Sequence, residues 1–157
     1  MIRTGKREFE SRGCPVNEVL LRQLEAHESA PSFNPQVSRI LLIVDGVRCD
    51  ETCERGLYAT RQARTIQGRE QDRVLRVLLQ PTGAPPLSAE LLAAHPGMIV
   101  VQGDSRQWQT LPGAAGLAAN IYLLDPRGNL VLRYPADPDI RGLAKDMERL
   151  LRASRIG

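Results

Sequence analysis

Aromatic residues, long apolar runs and blocks of like charge are scarce in this chain of 157 residues. Aromatic side chains make up 4% of the sequence, so the core must be built from Leu, Val, Ile and Ala. The longest uninterrupted apolar run covers residues 40–44, whereas a membrane-spanning helix needs about 20 apolar residues. The residues after Met1 also lack the basic-then-apolar layout of a signal peptide. The sequence therefore predicts a soluble chain without a membrane-spanning segment.

Charge patterning points to no nucleic-acid partner. The net charge is only +3, and basic residues alternate with acidic ones along the whole chain. Trp108 has no aromatic neighbour, so the sequence lacks a basic groove lined with stacking rings. A mixed, solvated surface is the better interpretation. Hydrophobic and charged fractions of 42% and 25% are those of an ordinary globular domain, which excludes a disordered tail or a disulfide-dense scaffold.

Short apolar runs alternate with helical patterns from residue 39 onward. Strands are predicted at 39–45, 73–79 and 98–101, with helices at 50–67 and 88–94 between them. A hairpin then joins 121–124 to 130–132, and a last helix begins with Asp137 as its N-cap and Pro138 at its first position. This βαβαβ order, followed by a hairpin and a C-terminal helix, predicts an α/β fold of the thioredoxin-like three-layer sandwich type.

Two patterns predict how these elements pack. Strand 39–45 carries five consecutive aliphatic residues, which is typical of a central strand covered on both faces, and we expect the hairpin at the edge of its sheet. Apolar residues of the last helix recur at spacings of three and four. They form one stripe, of which Leu143, Met147 and Leu150 are expected to be buried.

The N-terminal region is divided at residue 15. Residues 1–15 show no periodicity and are predicted to form a poorly ordered lead, whereas residues 16–157 form a single domain. Residues 16–27 allow two interpretations. Asn17 could cap a short amphipathic helix, or the run could fold as a hairpin.

Cys49 and Cys53 are the main candidates for chemistry. Two residues four apart on a helix share a face, with Cα atoms about 6 Å apart, which is within the range of a disulfide. Two thiolates this close also suit one soft metal ion such as Cu(I). The pair follows a parallel strand at its carboxyl end, where open α/β sheets place their active sites. The alternative is two buried cysteines that act as small hydrophobes, and Cys14 is predicted to be a free, exposed thiol.

The residues around the pair favour moderate reactivity. A helix N-terminus and Arg48 favour the thiolate, while Asp50 and Glu51 oppose it. A disulfide closing so small a loop stabilises the fold by roughly 2 kcal/mol at most, which suits a reversible site better than a structural clamp.

No other residue is a strong ligand candidate. His27 and His95 are interpreted as ordinary surface residues, with His95 near the C-terminal dipole of a helix, and Met98 as a core residue. The loop 103–119 is rich in Gly, Ala and Gln. It could cover the dithiol or contact a partner, and its composition does not choose between these roles.

A resemblance to a known family rests on several motifs. They are DGVRCDETC at 45–53, LY at 57–58, RQAR at 61–64, IYLLDPRGN at 121–129, RYP at 133–135 and RLLRASRIG at 149–157. In these motifs the chain resembles the Sco/SenC-like thioredoxin-fold proteins, and most of all a divergent proteobacterial branch encoded among cytochrome c oxidase assembly genes. The resemblance covers roughly residues 16–157 and favours the hairpin at 16–27.

The resemblance implies a respiratory oxidase assembly factor at the periplasmic face of the inner membrane, where relatives are commonly anchored by an N-terminal helix. Cys49 and Cys53 would exchange disulfides or hold Cu(I) transiently, and the partner would be an oxidase subunit or another assembly protein. Two family features are missing. Leu117 stands about where Sco proteins have a copper-binding histidine, and Ala118 and Ala119 stand where thioredoxins have a cis-proline. We therefore expect neither the three-ligand copper site nor ordinary reductase activity.

Two further hypotheses remain: a general thiol-disulfide oxidoreductase, and a degenerate thioredoxin-like adaptor without a redox role. The missing proline counts against the first, and the well-placed cysteine pair counts against the second. If exchange occurs, we expect Cys49 to attack, because it precedes the helix and should be more exposed. Cys53 would then resolve the mixed disulfide.

Overall fold

The computed structural model describes residues 7–8, 40–45, 49–103, 120–126 and 130–154. These residues form a six-stranded sheet and three α-helices. In chain order the elements are β1 (Arg7–Glu8), β2 (Ile40–Asp45), α1 (Glu51–Ile66), a 3-10 helix (Gly68–Arg73), β3 (Val74–Pro81), α2 (Ala89–Ala94), β4 (Ile99–Gly103), β5 (Asn120–Leu124), β6 (Leu130–Pro135) and α3 (Ile140–Ala153). The predicted βαβαβ order, hairpin and C-terminal helix are confirmed.

The sheet has the strand order β1-β6-β5-β2-β3-β4. Strand β2 lies in the interior of the sheet, parallel to β3 on one side and antiparallel to β5 on the other. Ile43, for example, is opposite Val77 in β3 and Tyr122 in β5. The β5–β6 hairpin is not the edge that the sequence predicts, because the two residues of β1 pair with β6 outside it.

Each helix begins close to its predicted position, and the caps explain why. The side chain of Asp50 caps α1, and Ser88 caps α2 by accepting a hydrogen bond from the N–H of Leu91. The predicted start of α3 is wrong by two residues. Its N-cap is Asp139, which keeps an extended conformation (φ −65°, ψ 108°), so that Pro138 is buried before the helix instead of occupying its first position.

The main core lies between the sheet and the two long helices. Leu143 and Met147 of α3 are fully buried against α1 residues such as Leu57. The prediction that Leu150 is buried is wrong, because it is only partly buried, whereas Leu151 is 2% exposed. Leu151 lies one helical turn after Met147 and so in the middle of the stripe, whereas Leu150 lies at its margin.

Side-chain hydrogen bonds fasten the three helices to one another. Nε2 of Gln67 donates to the carbonyl oxygens of Ala63 in α1 and Ala144 in α3, at 3.0 Å in each case. Nη1 of Arg61 donates to the carbonyl oxygen of Ala94, at the end of α2, at 2.7 Å. The C-terminal half of helix α1 is thereby bound to both α2 and α3.

The opposite face of the sheet is also apolar and buried. Its side chains are exposed by 4% or less. They are Val77, Leu79, Ile99, Val101, Tyr122 and Leu124.

Several predictions concern residues outside the described part of the chain. The helix or hairpin at 16–27, the exposure of Cys14 and the role of the 103–119 loop, which is described only at Gly103, all belong to this group. They stay predictions, as does the division of the chain at residue 15. Within the predicted lead, Arg7–Glu8 forms a short strand that pairs with β6.

Candidate functional site

The structure brings the two predicted cysteines together at the start of α1. Cys49 and Cys53 are joined by a disulfide, with their Cα atoms 4.8 Å apart. This distance is shorter than the 6 Å expected for two helical residues, because Cys49 precedes the N-cap and is not itself helical. The pair lies just after β2, at the carboxyl end of a parallel strand pair, as predicted.

The two sulfur-bearing residues differ in exposure. Cys53 is 0% exposed and packs in the main core with Leu57 and Met147. Cys49 is partly buried and lies at the margin of the same core. An external thiol or disulfide can therefore approach Cys49 much more readily than Cys53.

A carboxylate occupies the N-terminus of α1 beside the disulfide. The backbone N–H of Cys53 donates a hydrogen bond to Oδ1 of Asp50 at 3.1 Å, and the N–H of Glu54 donates to the Asp50 carbonyl oxygen at 2.9 Å. Asp50 has the extended backbone that is usual for an N-cap. Its carboxylate lies at the positive end of the helix dipole, so it stabilises α1 beside the disulfide.

Further acidic residues follow in the first turn. Glu51 and Glu54 are exposed, and Glu51 forms an ion pair with Arg55 one turn later, at 3.7 Å between Nη2 and Oε1. Because both partners of this pair are well solvated, the pair contributes little to stability. The surface around Cys49 that belongs to α1 is thus predominantly acidic.

Among the described residues, the two sulfurs are the metal-donor atoms of this site. Within the described residues, no group of three or more His, Cys, Asp or Glu side chains is arranged to hold a metal ion. Two thiolates suit a two-coordinate soft ion such as Cu(I), whereas Cu(II) requires nitrogen or oxygen ligands in addition. Leu117, which the sequence resemblance aligns with the histidine of Sco proteins, lies outside the described residues, as does His27.

The interpretation of His95 as a surface residue is wrong. His95 is 6% exposed, and its Nδ1 lies 3.1 Å from Nη2 of Arg76, which is itself 5% exposed. Since a guanidinium can only donate, Nδ1 accepts and the imidazole is neutral with its proton on Nε2. Burial, with Arg76 and then Arg61 adding to it, lowers the pKa of His95 to about 4.

Arg76 is the centre of this buried polar cluster. Its Nη2 also donates to the carbonyl oxygen of Leu57 at 2.7 Å, and its Nε donates to Oγ1 of Thr60 at 3.3 Å. Burial, together with nearby Arg61 and Arg64, lowers the pKa of Arg76 to about 10. Among the described residues, no carboxylate forms an ion pair with this guanidinium. Its charge is stabilised there by the dipoles of its carbonyl, hydroxyl and imidazole partners. The cluster could not be predicted from the sequence, because its members come from three separate elements.

A surface cavity of about 520 Å³ lies at the other end of α1. It is lined by the last turn of α1 and by polar side chains of α3, among them Arg141 and Lys145. Neither cysteine contributes to its lining, so it is separate from the dithiol.

Residues 40–154 match the family model described as "Transmembrane-like, thioredoxin-like, C-terminal domain". This match spans well over half of the chain. The chain belongs to this thioredoxin-like family. Membership agrees with the α/β architecture and with a cysteine pair at the start of the first long helix.

Solved structures of similar fold have low sequence identity to this thioredoxin-like domain. The apo Sco1 protein from Thermus thermophilus is 19% identical with a TM-score of 0.49, over 76% of this chain and 80% of its own. Peroxiredoxin Q from Xanthomonas campestris is 12% identical with a TM-score of 0.42, over 73% and 79%. A thioredoxin-like protein from Bacteroides caccae is 15% identical with a TM-score of 0.44, over 72% and 41%. Each is a likeness in chain path and nothing more.

No curated protein matched the sequence. Among the helices that the structure describes, none combines the length and the apolar character required to cross a bilayer.

Proposed function

We propose that this domain carries out thiol–disulfide exchange through Cys49 and Cys53, as a Sco-like factor in the assembly of a respiratory oxidase. The observation that carries the proposal is the disulfide at the start of α1, with Cys49 accessible and Cys53 buried. A small, local disulfide beside the surface is suited to repeated opening and closing.

The proposed reaction starts from the reduced pair. The Cys49 thiolate attacks a partner disulfide, which forms a mixed disulfide and releases one partner sulfur as a thiolate. Cys53 then loses its proton and attacks the Cys49 sulfur, which closes the Cys49–Cys53 disulfide and releases the second partner thiolate. Two electrons pass to the partner, and its two thiolates take up the two protons that the cysteines lose.

The unequal burial of the two sulfurs supports this order of attack. A partner disulfide has to reach the attacking sulfur in line, and only the partly buried Cys49 offers such an approach. Cys53 needs no access to the partner, since its target is the adjacent Cys49 sulfur.

Transient Cu(I) binding is compatible with the same residues. Cys49 and Cys53 in the reduced state would supply two thiolates to one soft ion, and the described part of the chain provides no third ligand near them. When bound, Cu(I) would serve as cargo for delivery to an oxidase rather than as a group that takes part in exchange.

The assembly role and its setting rest on the sequence resemblance over residues 16–157. We propose an oxidase subunit or another assembly protein as the partner, and the periplasmic face of the inner membrane as the location. A general oxidoreductase is the second candidate, and slow reduction of insulin by this protein would count against it.

Trapping the mixed disulfide tests the exchange reaction. In a Cys14→Ser background, Cys53→Ser should accumulate a stable Cys49 adduct with a disulfide substrate such as oxidised glutathione. Cys49→Ser should accumulate almost none, because Cys53 is buried. An adduct that forms only on Cys53, or mild oxidation that links Cys14 to either cysteine in the wild-type protein, would contradict the assignment.

A copper titration tests the cargo. Reduced protein should bind one Cu(I) in competition with a coloured Cu(I) chelator, and Cys49→Ser should lose this binding. Cu(II) should bind weakly, and Leu117→His should strengthen it if that position corresponds to the histidine of Sco proteins. Tight Cu(II) binding by the wild-type protein with a histidine nitrogen in its spectrum would refute this part of the proposal.

A further inference from the structure

One N–H donor at the N-terminus of α1 already has a carboxylate acceptor while the disulfide is closed. The first N–H groups of a helix lack partners within the helix, and a thiolate placed there is stabilised by these donors and by the dipole. In this protein the N–H of Cys53 donates instead to Oδ1 of Asp50, at 3.1 Å. Asp50 directly follows Cys49, so a fixed negative charge lies beside the attacking sulfur.

Building on the proposed function, we propose that Asp50 is a positioning residue that makes the Cys49–Cys53 pair an electron donor. When the disulfide opens, Cys49 gains no hydrogen bond from the Cys53 N–H, because the Asp50 carboxylate holds that donor. The Cys49 thiolate therefore lacks this hydrogen bond, and the adjacent Asp50 charge disfavours it further. Dithiols whose reduced form is stabilised are strong oxidants, and the opposite arrangement favours transfer of two electrons to a partner disulfide.

The hydrogen bond distinguishes Asp50 from the other carboxylates of the first turn. Glu51 is 87% exposed and pairs with Arg55, so its charge is screened by water and by a cation. Glu54 is also exposed. Among the described residues, Asp50 alone is seen to accept the Cys53 N–H, and a neutral acceptor at position 50 should change the redox balance while keeping the cap.

Asp50→Asn and Asp50→Ser test the proposal, since both side chains still cap a helix but carry no charge. Both are made in a Cys14→Ser background and equilibrated with dithiothreitol, a neutral dithiol. In this reaction two hydrogens pass from dithiothreitol to the protein disulfide, which yields the protein dithiol and the cyclic disulfide. The second measurement is the rate at which neutral iodoacetamide alkylates Cys49.

Removing one nearby charge favours the Cys49 thiolate about threefold. Alkylation at neutral pH, where thiolate is the minor form, should speed up about threefold, and the equilibrium should shift up to about threefold toward the protein dithiol at alkaline pH, where thiolate predominates. Glu51→Gln is the matched control, because it removes a charge from the same turn without touching the Cys53 hydrogen bond. Its equilibrium constant should stay within about 1.5-fold of the wild-type value.

The outcomes separate this inference from the proposed function. If the wild-type disulfide does not equilibrate with dithiothreitol in the folded protein, the exchange function fails, and this inference fails with it. If it equilibrates but Asp50→Asn and Asp50→Ser keep the wild-type constant and rate, Asp50 is only a helix cap and this inference alone is overturned. A shift in Glu51→Gln as large as in Asp50→Asn would also overturn it, because the effect would then be one of general surface charge.

Discussion

Helix α1 borders two polar sites that differ in what can reach them. At its N-terminal turn, Cys49 is only partly buried and is the residue of the pair that another molecule can contact. Along the flank facing β3, Arg76 and His95 are 5% and 6% exposed and bind to each other, and Arg76 also binds to α1. The first site is suited to chemistry with a partner, and the second holds together a helix, a strand and the end of α2.

The two sites also satisfy charge differently. The Asp50 carboxylate meets a helix terminus near solvent, where water and the helix dipole both stabilise it. The Arg76 guanidinium is surrounded by a carbonyl, a hydroxyl and a neutral imidazole. A buried cation of this kind persists only while all its acceptors stay in place, so we expect changes there to affect stability far more than exchange.

The largest expected effect is on stability, from Arg76→Ala. The substitution leaves a cavity and removes the donors to Leu57, Thr60 and His95, and it should lower the free energy of unfolding by about 2–4 kcal/mol. The matched variant is Arg76→Met, which keeps most of the volume and removes the buried charge, and it should cost less than about 1.5 kcal/mol. Urea unfolding measures both.

The rate of dithiothreitol exchange should stay within about twofold of the wild-type rate in both Arg76 variants, if distant sites act independently. A large loss of exchange in the stable Arg76→Met protein would show that the two sites are coupled. It would contradict the assignment of a purely structural role to the Arg76 cluster.

A smaller effect should follow from pH through His95. Its pKa in the folded protein is about 4, because burial and the neighbouring Arg76 disfavour the imidazolium, whereas an unfolded histidine takes up a proton near pH 6.5. Stability from the neutral imidazole is thus complete above pH 6.5 and is lost as pH falls toward 4. Between pH 7 and 4.5 the loss should amount to about 1–3 kcal/mol.

His95→Gln provides the control for the pH effect. Glutamine retains an acceptor for Nη2 of Arg76 but does not titrate in this range. Urea unfolding at pH 7 and pH 4.5 should therefore show a smaller acid loss in the variant than in the wild type. Equal losses in the two proteins would mean that His95 is free to take up a proton in the fold.

The smallest effect should be at the dithiol turn itself. Asp50→Ala removes the cap of α1 and should destabilise the protein by about 1 kcal/mol, whereas Asp50→Asn should cost only a few tenths. Thermal unfolding of the oxidised proteins checks this. A loss in Asp50→Ala as large as in Arg76→Ala would mean that the turn is a structural anchor as well as a reactive site.

Local chemistry explains why the sequence predicted the dithiol turn. Cys49, Asp50 and Cys53 lie within five residues, and capping and helical spacing determine their arrangement without reference to the rest of the chain. The strands and helices were predicted for the same reason, since each depends on a short periodic pattern. Errors arose at Asp137 and Leu150, where tertiary packing decides between neighbouring residues.

Non-local contacts explain why the polar cluster could not be predicted. Thr60, Arg76 and His95 are 16 to 19 positions apart in successive steps, and nothing in their immediate neighbours marks them. A lone histidine before a proline gives no sign that a buried arginine will meet it. The one available signal was Arg76 itself, a charged residue inside an otherwise apolar strand.

The strands that pair with β2 determine the order in which the sheet can form during synthesis. Residues 40–45 pair with β3, about 35 residues later, and with β5, about 80 residues later. During synthesis from the N-terminus, both cysteines therefore emerge long before the strand that completes the sheet beside them. The Cys49–Cys53 disulfide joins residues only four positions apart. Its formation in the nascent chain should therefore not hinder the pairing of strands that are synthesised later. We expect folding to be slowed instead by distant strand pairings such as that of β2 with β5, which has to wait for the last third of the polypeptide.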